Sequence, residues 1–346
     1  MKKPHFKAAA ILSVALLGST HAMAEQTKIL FNSFIPHNHF FNQDVLLPWL
    51  DMVNKATEGR VVFEVPPTTL AAPQAQYDGV KKGIFDAAYI ANPFIYNIIK
   101  LPSIAQLPFT AVSAQASTLA RWKTQEKYFD KANEFKDVHL FAHFVGLGGD
   151  IVSAKAPIHS AADLKGMKMY ALPGSTANML TAAGAAVVAG PAVRSYELIS
   201  SGTVDGFGGL ATLDFEMFKS LQYGKQIVRV PGGTAAPVFS FFMSKKKWAA
   251  ISAKDQATIN QLAREPMAKL IGAAYDKRAA DLDKKLTAAG MPIEKPSPEF
   301  MAELEKLAQP SIDAWLQEAQ KLGVDGKAAL AYYQAEAKAI DKTLAH

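Results

Sequence analysis

Residues 161–210, AADLKGMKMYALPGSTANMLTAAGAAVVAGPAVRSYELISSGTVDGFGGL, constrain the fold more than any other part of the chain. Short β-rich runs alternate there with segments of helical spacing, and the whole reads as strand, helix, strand, helix, strand. Such alternation predicts parallel strands with covering helices, an α/β architecture. Strands joined in this way end on one edge of their sheet, and open α/β sheets bind ligands at that edge. The loops after these strands are therefore the candidate ligand-binding loops.

The first half of the chain follows the same grammar. Residues 27–34 and 60–65 are β-rich, and between them Val45, Leu46, Trp49, Leu50, Met52 and Val53 keep helical spacing up to Gly59. Residues 77–82 read as a short helix ending at Gly83, 85–90 as a strand, 113–127 as a helix, and 138–145 as a strand. A short internal repeat links the halves: YDGVKKGIFDA from Tyr77 resembles YELISSGTVDG from Tyr196. In each copy a helix ends at a glycine suited to positive φ (Gly83, Gly202), and an aspartate (Asp86, Asp205) follows at a strand start. These aspartates read as backbone-capping groups rather than as an acid/base pair.

Two lobes built from similar units follow from this repeat. Gly146-Leu-Gly-Gly-Asp150 is a flexible junction between them, and the apolar strand 238–244 is expected to return the chain to the first lobe. The last third is helical. Ser252 opens a capping box with Asp255, starting a long helix toward Ala289 that Pro266 should kink. The predicted division is a signal sequence at 1–24, lobe I at 25–147 plus about 232–270, lobe II at 148–231 plus about 290–346, and a spanning helix at about 255–289.

The N-terminus carries an export signal. Lys2, Lys3 and Lys7 precede an apolar run at residues 8–17, and Ala22-Met23-Ala24 is a small-x-small cleavage site. The formal charge of +6 includes those three lysines and no acid from residues 1–24, leaving +3 beyond them, which gives no footprint for nucleic acid. The chain has no cysteine, which excludes disulfides, thiol nucleophiles, thiolate metal sites and a lipid-modified cysteine anchor. The expected product is a periplasmic protein that is not lipid-anchored.

No catalytic motif stands out, and neither a metal nor a cofactor is expected: there is no G-x-S-x-G elbow, H-E-x-x-H pair or phosphate-cradling glycine loop. His37 and His39 occupy i and i+2 of a loop without nearby acids, a pattern more common for hydrogen-bonded loop residues than for metal ligands. His139 and His143 fall in a strand and read as structural. Aromatic residues recur instead at the expected strand ends: Phe34, Phe40 and Phe41; Tyr89, Phe94 and Tyr96; Tyr170; Phe207.

The frame formed by Ala156-Pro-Ile-His-Ser-Ala-Ala-Asp-Leu-Lys-Gly-Met-Lys-Met169 and Tyr196-Glu-Leu-Ile-Ser-Ser-Gly-Thr-Val-Asp-Gly206, with Leu107-Pro-Phe109 and Gly83-Ile-Phe-Asp86, resembles the solute-binding proteins of tripartite ATP-independent periplasmic (TRAP) transporters, of the dicarboxylate-binding type. The resemblance implies a two-lobe periplasmic binding protein fold with a hinged cleft and a long spanning helix. It also implies capture of a small organic solute and delivery to the small and large membrane permease subunits; separately, a monomer is expected. A periplasmic sensor docking on a receptor is the alternative, and a periplasmic enzyme a weaker one.

Three positions depart from the family. Tyr170 stands where an arginine usually pairs with the ligand carboxylate. Phe207-Gly208-Gly209 replaces an acid or amide after Val-Asp-Gly, and Asp150 falls near a second family arginine. The candidate ligand-binding residues are thus Tyr170, Asp150, Phe207, Gly208 and Gly209, with His37, Tyr89 and Asn92 on the facing loops. Three ligands fit: a neutral or cationic one bonded to Asp150; an aromatic one stacked on Tyr170 and Phe207 in a site widened by Gly208 and Gly209; or a carboxylate held by Arg121 or Arg194. The first two together, an apolar body with few acidic groups, are the favoured reading.

Overall fold

The computed structural model describes residues 26–344, and the export signal lies outside the described residues. In chain order the strands are β1 (Thr27–Asn32), β2 (Val61–Glu64), β3 (Ala87–Ala91), β4 (Val138–Val145), β5 (Asp150–Ser153), β6 (Lys168–Ala171), β7 (Ala186–Ala189), β8 (Gly206–Leu210), β9 (Gln226–Val228), β10 (Val238–Ser244) and β11 (Ile293–Glu294). They form two sheets, ordered β2-β1-β3-β10-β4 and β11-β9-β5-β8-β6-β7. Each sheet has a parallel β-α-β portion, β2-β1-β3 in lobe I and β7-β6-β8 in lobe II. Strand β10 returns to lobe I and runs antiparallel between β3 and β4.

The internal repeat has a structural counterpart. Asp86 Oδ2 accepts the Leu30 N–H of the neighbouring strand, and Asp205 Oδ2 accepts the Lys168 N–H in the same way. Each carboxylate also pairs with a lysine from elsewhere, Lys247 at 3.1 Å and Lys155 at 2.6 Å. Gly83 and Gly202 both take φ of +70° where their helices stop. These aspartates lock strands in register.

The helices are α1 (Leu47–Ala56), α2 (Gln76–Lys81), α3 (Ala114–Thr124), α4 (Ser175–Ala182), α5 (Ser195–Ser200), α6 (Thr212–Met217), α7 (Lys245–Ala249), α8 (Ala253–Leu262), α9 (Glu265–Ala288), α10 (Pro298–Lys321) and α11 (Gly326–Leu344). The long helix expected from Ser252 is in fact two. The chain breaks at Arg264 (φ −101°, ψ −113°), and Pro266 sits in the first turn of α9, where its missing N–H costs nothing. Helix α9 bridges the lobes. Its Asp276 carboxylate accepts the Ala114 and Gln115 N–H groups at the start of α3, and its Asp283 pairs with Arg229 of lobe II.

Residues 290–346 divide differently from the sequence reading. Phe300 and Leu304 of α10 join the lobe II core, whereas Trp315 and Ala319 of the same helix join the lobe I core. Helix α11 packs on α3 of lobe I. Amphipathic periodicity records that a helix has a buried face, not which lobe covers it.

Backbone meets backbone at the lobe crossings. A Cβ on Gly233 would fall 2.5 Å from Gly148 Cα, and one on Gly149 would fall 2.4 Å from the Gly209 carbonyl carbon. Only glycine allows these approaches. The Gly148–Gly233 approach fastens the two crossings to each other, and the Gly149–Gly209 approach packs the first of them against β8.

Candidate ligand-binding site

A cavity of about 50 Å³ lies between the lobes. Lobe I supplies Phe34, Ile35, Phe94, Phe144 and Phe239, lobe II supplies Leu172, Pro191, Val193, Leu210 and Phe218, and α9 supplies Tyr275. Leu172 and Leu210 stand at the C-terminal ends of β6 and β8, the sheet edge from which ligand binding was expected. The aromatic wall is ordered: Phe144 stacks on Phe239 with centroids 5.2 Å apart and planes at 8°, and Tyr275 lies 4.9 Å from Phe144. Among the described residues, no lysine or arginine lines the cavity.

Two further side chains in the lining are polar, His39 and Asp214. The Phe41 N–H donates to His39 Nδ1 at 3.2 Å, so the neutral imidazole carries its hydrogen on Nε2, and that buried nitrogen has no partner among the described residues. Burial holds this ring's pKa down at about 4, so it is uncharged at neutral pH. Asp214 lies in the first turn of α6, where Oδ2 accepts the Ala211 N–H at 3.2 Å. Burial pushes its carboxyl up to about 7; the Ala211 bond opposes that rise and Asp150 adds to it. The Tyr275 hydroxyl, raised by burial, makes no hydrogen bond among the described residues.

The residues singled out from the sequence stand mostly behind this lining. Tyr170 is fully buried, its hydroxyl donating to the Gly190 carbonyl at 3.0 Å and its ring edge-on to Phe215. Phe207 is likewise buried, stacked on Phe215 at 4.6 Å. Gly208 and Gly209 do not widen the cavity. They admit α4, since a Cβ on Gly209 (φ +83°) would fall 2.8 Å from Thr176 Oγ1.

Asp150 belongs to the junction. Its carboxylate meets Arg229 Nε at 2.9 Å and accepts the N–H and hydroxyl of Thr212, while Arg229 also holds Asp283 through two bonds of 2.8 Å. Burial pushes Asp150 up to about 6 against the pull of Arg229. Tyr89 is core, bonded to Ser33 Oγ and packed 4.9 Å from Phe34 of the lining. Asn92 is buried and accepts from the Ser240 hydroxyl, and His37 is solvent-exposed. Arg121 is buried on α3, bonded to Gln125 and lying over Phe129, and Arg194 is exposed beside Glu197. Neither arginine lines the cavity.

Comparison with known proteins agrees with this architecture. Residues 31–318 match the family described as bacterial extracellular solute-binding protein, family 7. The chain is 39% identical over 331 residues to the outer membrane transporter protein TsaT of Comamonas testosteroni, covering 96% of this chain and 97% of that protein. A TRAP periplasmic solute-binding protein from Bordetella bronchiseptica, solved with bound (R)- and (S)-mandelate, superposes with a TM-score of 0.85 at 29% identity, over 90% of this chain and 99% of that one. A marine-metagenome TRAP protein specific for aromatic acid ligands, solved with 3-hydroxybenzoate, gives 0.77 at 26% identity, over 91% and 98%.

Proposed function

The chain belongs to the bacterial extracellular solute-binding protein family 7, and from that premise we propose that it captures an aromatic monocarboxylate in the interlobe cavity for a TRAP transporter. One observation carries the aromatic reading: the cavity is walled by phenylalanines and aliphatic side chains, with no lysine or arginine among the described residues that line it. Two carboxylates desolvated there would lack any cationic partner, which disfavours a dicarboxylate. A ring, by contrast, gains from burial against Phe144 and Phe239. Mandelate and 3-hydroxybenzoate in the two related proteins support the same class.

Capture works by closure. An engineered apolar cavity that admits benzene measures about 150 Å³, so at about 50 Å³ this cavity takes a ring only as the lobes part and re-close around it. The glycine junction and α9 are the elements that would guide that motion. TRAP solute-binding proteins work with membrane permease components, and this chain is expected to hand over its solute unchanged, as a monomer free in the periplasm. Titration calorimetry with benzoate, 3-hydroxybenzoate, mandelate and succinate tests the reading. Saturable binding of the aromatic acids without succinate binding is expected; succinate binding without aromatic binding would overturn it. Recovery of unaltered ligand after incubation separates capture from catalysis.

A further inference from the structure

We infer that the ligand's carboxylate is held through a shared proton rather than by a cation: the Asp214 carboxyl donates to it, with His39 Nε2–H and the Tyr275 hydroxyl as the other donors. This rests on the aromatic-acid reading above and deepens it. A buried carboxylate needs hydrogen-bond donors. Among the described residues, the buried His39 Nε2–H in the cavity lining is left without a partner, and the Tyr275 hydroxyl in the same lining, kept neutral by burial, makes no side-chain hydrogen bond; the His39 ring is neutral too. Asp214 lines the same cavity, and its ionised form would repel an anionic ligand. Two carboxyl groups sharing one site hold a single proton between them.

The surroundings favour that proton. Asp150 from β5 lies close enough to raise Asp214, and Arg229, which follows β9, is divided between Asp150 and Asp283 of α9. This neighbouring cluster therefore carries a net negative charge. Tyr170 of β6 and Tyr275 of α9 face Asp214 as neutral phenols, and His39 faces the cavity as a neutral imidazole. Binding to the ionised form of Asp214 would take up one proton from solvent for each ligand captured.

The test is calorimetry on the intact protein with benzoate, benzamide and benzylamine from pH 5.5 to 9, in buffers of different ionisation enthalpy. With Asp214 titrating at about 7, benzoate affinity is expected to be flat below pH 6.5 and to weaken toward about tenfold per pH unit above 7.5. Proton uptake should be about half a proton at pH 7 and approach one above pH 8. Asp214→Asn keeps a donor amide and should abolish both the uptake and the pH dependence. Benzoate binding without proton uptake would overturn the inference while leaving the aromatic reading intact. So would benzylamine binding more tightly than benzoate at pH 5.5, where Asp214 keeps its proton. If succinate binds and none of the aromatic probes does, both readings fall.

Discussion

Asp214 should make the ligand-free protein less stable as pH rises, and Asp214→Asn should remove that loss. The carboxyl's pKa is raised from 3.8 to about 7 in the folded chain, because ionisation there strands a charge beside Phe215 and Tyr170 without a cation. A raised acid keeps its proton in the folded state while the unfolded chain has already lost it. Its contribution is therefore unaffected below about pH 4 and is lost progressively between pH 4 and 7. Integrated from pH 5 to pH 8, the loss is on the order of 2–3 kcal/mol. Asp150 adds a slope of the same sign, since burial raises it too, so the difference between wild type and variant isolates Asp214. Asparagine can still accept the Ala211 N–H, which leaves the helix cap in place. Urea unfolding at pH 5, 6.5 and 8 measures this directly. Parallel stability curves for the two proteins would refute the reasoning, because they would mean that Asp214 ionises freely in the folded state.

Other perturbations separate site from scaffold. Tyr275→Phe should weaken aromatic-acid binding by up to about tenfold with thermal stability unchanged, since the hydroxyl has no protein partner to lose; calorimetry with a melting curve checks both. Gly209→Ala puts a Cβ at φ +83° and 2.8 Å from Thr176 Oγ1, and should cost about 2–3 kcal/mol in urea unfolding. Arg229→Gln leaves Asp150 buried without its ion partner and should cost about 2–4 kcal/mol, part of which the double variant with Asp150→Asn should recover.

The frame of the molecule was legible from sequence because it is written in local periodicity. Strands β4 and β10 occupy the residues expected of them, and β10 returns to the first lobe as the apolar run at 238–244 indicated. The aspartates of the internal repeat cap strands, as their position after a helix-ending glycine suggested. The lining was much less legible. In β6 the residues from Met169 to Ala171 are all buried, so alternation along the strand could not tell the wall of the cleft from the layer behind it. Tyr170 was singled out for its position in the family frame, yet a phenol lacks the reach of an arginine and settles on the Gly190 carbonyl.

His39 was noted beside His37, but only the structure turns it inward. Asp214 sits in a six-residue helix with little periodic signal, and Tyr275 arrives from α9, far along the chain from the strands it faces. The available hint was the run of aromatics at strand ends, which does supply Phe34 and Phe94 to the cavity. Tertiary packing, not local spacing, decided the rest.

The most direct measurement of the central claim is a crystal structure of the protein with 3-hydroxybenzoate. The expected result is a ring between the Phe144–Phe239 pair and the Leu172–Leu210 edge, with its carboxylate within hydrogen-bond distance of Asp214 or His39. A ring bound elsewhere, or a carboxylate drawn instead to Arg229 at the lobe junction, would contradict the account.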